Sequence, residues 1–187
     1  MKTAYPITIA GVNRELPLCP LNDELYIAAF VIFGDPELTV ASATALLERA
    51  PNYDYLITAE SKGIPLVYEM ARQRGDKKYL LARKSQKLYM RDVFSIGVES
   101  ITTAASQTLY IDGDDAALMK GKRILIVDDV ISTGHSLNAI EALVREAGGE
   151  VCGRMAILAE GDAIPRTDII YLEPLPLFDK NGEPLAA

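Results

Sequence analysis

An open α/β sheet, mostly parallel and flanked by helices, is the fold this sequence predicts, on three observations. Its apolar runs are of strand length and bounded by turn residues, amphipathic helical periods alternate with them, and the connections between the two are short. A chain of 187 residues with 49% hydrophobic composition can hold one domain with a substantial core.

Asp35-Pro36 pairs a capping residue with proline at a first helical position, and Glu37 to Ala50 carries a helical apolar face that stops at Pro51. Tyr53 to Ala59 reads as a buried strand. Ile64 to Arg74 repeats apolar residues at Ile64, Val67, Met70 and Ala71, with Gly75 as its stop, and Lys78 to Ala82 is the next strand. Strand, helix, strand with short connections is a βαβ unit, hence a parallel sheet. From Ser85 to about Gln107 only Ile96 and Val98 hint at alternation, so this stretch reads as a long excursion. Thr108 to Ile111 is a short strand, Asp112-Gly113-Asp114-Asp115 an acidic turn, and Arg123 to Asp128 a strand. The helix Ser136 to Ala147 then buries Leu137, Ile140, Leu143 and Val144. Strands Val151 to Leu158 and Asp168 to Leu172 close the pattern. Near the N-terminus, Ile7 to Leu18 reads as two short strands around Gly11-Val12-Asn13.

Charge and apolar length exclude several functions. The 26 acidic against 19 basic residues give a formal net charge of -7, which disfavours general nucleic-acid binding. A local basic segment survives between Arg72 and Arg91, where eight basic residues face the single acid Asp76. The longest apolar run, Leu25 to Phe33, is too short to span a bilayer, and no signal-peptide pattern opens the chain, so a soluble cytoplasmic protein is expected. Cys19 and Cys152 form no CxxC pair and no metal cluster with the sole histidine, and read as reduced core thiols.

The chemistry concentrates in Arg123 to Ser136, RILIVDDVISTGHS. Ser132-Thr133-Gly134-His135-Ser136 combines hydroxyls, a turn glycine and consecutive N–H groups at the start of a helix, which makes a phosphate cradle. It is not a Walker loop, since no Gly-Lys-Ser/Thr follows. Carboxylates repel phosphate, so Asp128 and Asp129 must face hydroxyl donors or cations. A ribose 5-phosphate meets both demands, with vicinal hydroxyls for the aspartates and phosphate for the turn.

This stretch resembles the 5-phosphoribosyl 1-pyrophosphate (PRPP) signature of type I phosphoribosyltransferases. Ala59-Glu60-Ser61-Lys62-Gly63 is similar to the pyrophosphate loop of the purine-using members, and Arg83-Lys84 to their basic pair before a mobile loop. The resemblance covers about residues 36–160, and the adenine and xanthine enzymes look most similar. It implies one domain over 1–187, with a core at about 36–160 and a base-binding hood from 1–35 and 161–187. Asp128 and Asp129 would hold the ribose hydroxyls, Ser132 to Ser136 the 5-phosphate, and Glu60, Ser61, Lys62 and Gly63 the pyrophosphate through backbone amides. Arg83, Lys84 and Lys87 would neutralise the leaving group, and Asp128, Asp129 and Lys87 would be the catalytic residues. His135 would serve through its backbone N–H. The Ser85 to Gln107 excursion becomes a water-excluding lid from which Lys87 and Tyr89 reach inward. Mg2+ is expected to arrive on the pyrophosphate and ribose oxygens, without a dedicated protein ligand. Phe30, Phe33 and Glu160 are the candidates to contact the base, with a lean toward adenine. Partners implied are PRPP, a nucleobase and a second subunit in a homodimer, with no membrane or nucleic acid. The competing readings are a xanthine or other-base enzyme, a PRPP-sensing regulator without turnover, and a generic phosphosugar enzyme.

Overall fold

The computed structural model describes residues 2–99 and 106–185 of the chain. Five parallel strands form the central sheet: β4 (Tyr55–Ala59), β5 (Leu80–Ala82), β8 (Arg123–Ile131), β9 (Glu150–Glu160) and β10 (Ile170–Leu175), in the order β10-β9-β8-β4-β5. The chain runs outward from β4 to β5 and returns to lay β8 on the other flank of β4. The strand order therefore reverses between β4 and β8, and the loops leaving these two strands border one crevice.

Helices α1 (Pro36–Arg49) and α2 (Ile64–Arg74) cover one face of this sheet; α3 (Gly113–Met119) and α4 (His135–Glu146) belong to the other. Strand residues divide between the faces with the period of two that a pleated strand imposes. Leu56, Leu125, Val127, Met155 and Ile157 pack in the α1 and α2 core. Ile57, Ile124, Ile126 and Ala156 pack with Leu137, Ile140, Leu143 and Val144 of α4. Burial on both faces is why these strands are nearly continuous apolar runs. Each fully buried aliphatic side chain contributes about 2 kcal/mol of transfer free energy.

The expected βαβ unit stands: α2 has the predicted bounds, and Gly75, at φ 82°, closes it in the left-handed conformation that favours glycine. Three elements differ from expectation. The Ser85 to Gln107 excursion is not irregular throughout, because Phe94–Glu99 (β6) and Ser106–Ile111 (β7) pair antiparallel as a hairpin. Residues 100–105 of the excursion lie outside the described residues. The acidic turn at Asp112 is the start of α3: the Asp112 carboxylate accepts from the Asp114 N–H at 3.1 Å, and acids in a first turn suit the helix dipole. At the C-terminus, β11 (Phe178–Asp179) pairs antiparallel with β3 (Leu25–Ala28). It joins a second, four-stranded sheet, β1 (Ala4–Ile9), β2 (Val12–Pro20), β3 and β11, so material from both ends builds one layer. The β1–β2 turn is centred on Ala10 and Gly11, one residue earlier than the sequence suggests, with both at positive φ.

Arg14 of β2 forks onto Asp35 at 2.7 and 2.9 Å, and Asp35 accepts from the Leu38 N–H at 3.1 Å, which ties the terminal sheet to the start of α1. The Arg14 guanidinium holds the Asp35 carboxyl below its ordinary range. Cys19 and Cys152 are free and half-buried; Cys152 packs at the border of the α1 and α2 core, whereas Cys19 lies outside it. Among the described residues no helix is long and apolar enough to cross a membrane.

Candidate functional site

Asp128 and Asp129 stand on β8, where successive side chains point to opposite faces. Asp129 is 2% exposed, and its backbone N–H donates to Asp128 Oδ1 at 2.9 Å. Burial, followed by the neighbouring Asp129 charge, pushes the Asp128 carboxyl up from 3.8 to about 7. The Lys62 ammonium stands 3.0 Å from Asp129 Oδ2, but the approach lacks hydrogen-bond alignment, and this buried oxygen accepts no hydrogen bond among the described residues. A carboxylate oxygen with unused acceptor capacity suits a hydroxyl donor or a cation.

Two loops meet over this pair. In the first, Gly63 approaches so closely that a Cβ there would lie 2.2 Å from Thr58 Oγ1 and 3.2 Å from Asp128 Oδ1. Only glycine fits this approach. The amides of Ser61, Lys62 and Gly63 donate to nothing among the described residues, and α2 has no side-chain cap. Glu60 departs from expectation. Its N–H is spent on Ala82 O at 2.8 Å, while its carboxylate accepts from Arg83 Nη1 at 2.7 Å and from the Lys84 N–H at 3.1 Å. Glu60 therefore offers no amide to a ligand; it fixes the basic pair, and Arg83 in turn holds its carboxyl below the ordinary range. Arg83 is anchored again by paired backbone bonds with Tyr110 of β7, at 2.7 and 2.8 Å, and lies 5.9 Å from the Tyr89 ring centre. Lys87 donates to Ser85 Oγ at 2.7 Å, and its charge acts on Glu60.

The second loop, Ser132 to Ser136, lines a small pocket of about 90 Å³ together with Asp128. Gly134 has φ 79°, which brings the chain into α4, and no side chain caps that helix. Among the described residues the backbone N–H groups from Ser132 to Leu137 have no backbone acceptor, so the positive end of α4 opens on the loop. His135 is exposed.

A crevice with two sets of unpaired amides, a basic cluster and, between them, the half-buried Asp128 beside the buried Asp129 suits a ligand with two anionic ends and a hydroxylated middle. The sequence matches the phosphoribosyl transferase domain model over residues 40–171. The chain belongs to the phosphoribosyl transferase family. A hypoxanthine/guanine phosphoribosyltransferase of Methanotorris igneus is 33% identical over 157 residues, 83% of this chain and 78% of that protein. An adenine phosphoribosyltransferase of Petrotoga mobilis is 28% identical over 166 residues, 86% and 90% of the two chains. An orotate phosphoribosyltransferase of Caldanaerobacter subterraneus is 28% identical over 171 residues, covering 88% and 78%. Adenine phosphoribosyltransferase structures share the fold: that of Rhodothermus marinus superposes with a TM-score of 0.63 at 22% identity, over 92% of this chain and 94% of its own. The fold is thus that of the type I phosphoribosyltransferases, and relatives of similar identity take different bases.

Within this phosphoribosyltransferase fold, the base candidates part company. Phe30 is 6% exposed inside the α1 and α2 core, which removes its ring from any surface where a base could stack. Phe33 is 48% exposed. Glu160 ends β9, and burial pushes its carboxyl up while the charges of Lys62 and Asp129 act on it, so it faces the same crevice as the aspartates. The basic segment is also divided. Arg72 pairs with Glu69, Arg74 with Asp76 and Lys78 with Asp115, whereas Arg83, Lys84 and Lys87 gather beyond the end of β5. One residue escaped sequence reasoning altogether: a Cβ on Gly134 would lie 2.9 Å from Arg166 Nη1.

Proposed function

We propose that the protein transfers the ribose 5-phosphate of PRPP to a purine base, adenine before xanthine or another base, releasing pyrophosphate and a nucleoside 5-monophosphate. The observation that carries this reading is the convergence of two glycine-started helices, with unpaired amides, on the adjacent Asp128 and Asp129, of which Asp129 is buried. The Ser132 to Ser136 amides take the 5-phosphate. Asp128 and Asp129 accept from the ribose hydroxyls, for which Lys62 must yield Asp129 Oδ2. The amides of Ser61, Lys62 and Gly63, with Arg83, Lys84 and Lys87, face the pyrophosphate.

Charge then moves in a direction the site accommodates. As the C1–O bond lengthens, its electron pair departs with pyrophosphate toward the fixed cations, while positive charge grows on the ribosyl centre near the aspartates. A nitrogen of the base closes the new bond at C1 and gives up its proton to the departing pyrophosphate or to water. Groups held in place before the reaction stabilise this separation more than they stabilise bound substrate. The Ser85 to Gln107 excursion acts as the lid that keeps water from the ribosyl centre.

Mg2+ fits this donor set. The carboxylate oxygens, together with ribose and pyrophosphate oxygens, suit a hard cation, while no cluster of three or more His, Cys, Asp or Glu forms a protein-only cage among the described residues. Bound through the substrate, the ion would supply positive charge to the leaving pyrophosphate. Removing it with EDTA should abolish turnover measured as pyrophosphate release. The reading also includes a homodimer, as the family resemblance implies, in the cytoplasm, as the short apolar runs suggest; sedimentation at a monomer's mass would remove the dimer.

The test is pyrophosphate release from PRPP and Mg2+ with adenine, hypoxanthine, guanine, xanthine, uracil or orotate. Release with adenine is expected. Release with another base alone corrects the specificity, and PRPP binding without release from any base replaces the enzyme with a PRPP sensor.

A further inference from the structure

We infer that Arg166 is a second-element clamp on the phosphate held by the Ser132 to Ser136 loop. The inference rests on the proposed function, since it assigns a cation to the 5-phosphate subsite. It begins with the way this side chain is held. Arg166 lies in the connection between the short turn Gly161–Ala163 and β10, on neither the loop nor its helix. Its Nε and Nη2 donate to the two oxygens of Asp168, at 2.9 and 2.7 Å, a planar fork that fixes the guanidinium's orientation. Nη1 takes no part in that fork and donates to nothing among the described residues. It is this nitrogen that lies over Gly134, 2.9 Å from where a Cβ would be.

Asp168 is itself held from behind. Arg154 Nε of β9 lies 4.0 Å from Asp168 Oδ2, and the Arg154 guanidinium is bonded to Glu141 of α4, which also accepts from Arg145 at 2.8 Å. Charges of alternating sign thus run from α4 across β9 to Arg166, which remains 28% exposed at the loop. A guanidinium so oriented, with its remaining N–H groups beside a phosphate-holding glycine, loses little side-chain freedom on binding a phosphate oxygen. The basic cluster at Arg83 to Lys87 serves the opposite, pyrophosphate end, so Arg166 would give the 5-phosphate its own cation.

The two phosphate ends can be probed separately, by calorimetric titration of wild type and Arg166→Ala with ribose 5-phosphate and with inorganic pyrophosphate, each with Mg2+. The expected result is a Kd for ribose 5-phosphate raised about tenfold or more, with pyrophosphate affinity unchanged. In turnover, KM for PRPP should rise more than kcat falls, and Arg166→Lys should recover part of the loss. If the alanine variant does not fold, Arg166→Gln keeps the length of the side chain while removing the charge. Ribose 5-phosphate affinity equal in wild type and variant overturns the clamp while leaving the functional reading intact. Equal weakening of both ligands also overturns it, because that is what a merely structural role produces. Wild type that binds neither ligand overturns the functional reading and the clamp together.

Discussion

Two of the described α-helices start at an aspartate and two at a glycine, and the difference separates folding from function. At α1 and α3 the carboxylates of Asp35 and Asp112 accept from the amides of Leu38 and Asp114. At α2 and α4 the preceding residues are Gly63 and Gly134, and no side chain meets the first-turn amides. An aspartate cap is worth about 1 kcal/mol over alanine but only about a few tenths over glycine, so the second pair forgoes a little stability that the first pair takes. The two uncapped starts are the two that converge on Asp128 and Asp129. Under the proposed function, helix ends there are kept for a ligand, while elsewhere they are closed by the chain itself.

Substitutions can break that contrast, and the largest effect belongs to the pair the glycine-started helices share. Asp129→Asn should lower turnover about a hundredfold or more with the fold intact, and Thr133→Val should also impair it strongly, both read as initial rates of pyrophosphate release alongside circular dichroism. Retained turnover in both would mean that these residues do not hold the ribose phosphate. Gly63→Ala comes next. The new methyl would enter the space of Thr58 Oγ1 at 2.2 Å, so the loop must move away from Asp128. A displacement of about 1 Å at such a site costs roughly a hundredfold in rate, and kcat is the quantity to follow. Unchanged kcat would show that this close approach is not needed for positioning.

A smaller effect separates Asp128 from its surroundings by pH. Its folded-state carboxyl titrates near 7, above the unfolded 3.8, so folding favours the protonated acid. The stability this lends is complete at pH below 3.8 and is lost as pH rises toward and through about 7. Asp128→Asn, which cannot ionise, should therefore gain in Tm relative to wild type across that interval in ligand-free protein. Parallel Tm curves for the two would contradict it. The smallest effect lies on the capped side. Asp35→Ala should cost about 1–2 kcal/mol in urea unfolding, through the lost cap and the lost Arg14 pair, with turnover unaltered.

What could be read in advance follows from how far apart the interacting residues lie. The β4-α2-β5 and β8-α4-β9 units were legible because period, cap and stop are encoded within each segment, and the Arg123 to Ser136 stretch carries its chemistry in consecutive residues. The seven residues of α3 are too few to display a period, so in the sequence its start reads as a turn. The β6–β7 hairpin was hidden because its pairing joins residues across the excursion, and β11 because its partner, β3, lies at the opposite end of the chain. The same limit applies inside the site. Nothing local in Glu60 announces that it holds Arg83, and nothing in Pro165-Arg166-Thr167 places a guanidinium over Gly134. Phe30 shows the reverse case, an aromatic in an apolar run whose local context suits a stacking surface and a core alike.

The contrast between glycine-started and aspartate-started helices is tested most directly by titrating PRPP, with Mg2+, into wild type, Gly134→Ala and Asp35→Ala and comparing Kd. Binding by wild type and Asp35→Ala with the same Kd, and its loss or severe weakening in Gly134→Ala, is the predicted result. One Kd shared by all three proteins, or weakening in Asp35→Ala alone, would contradict it.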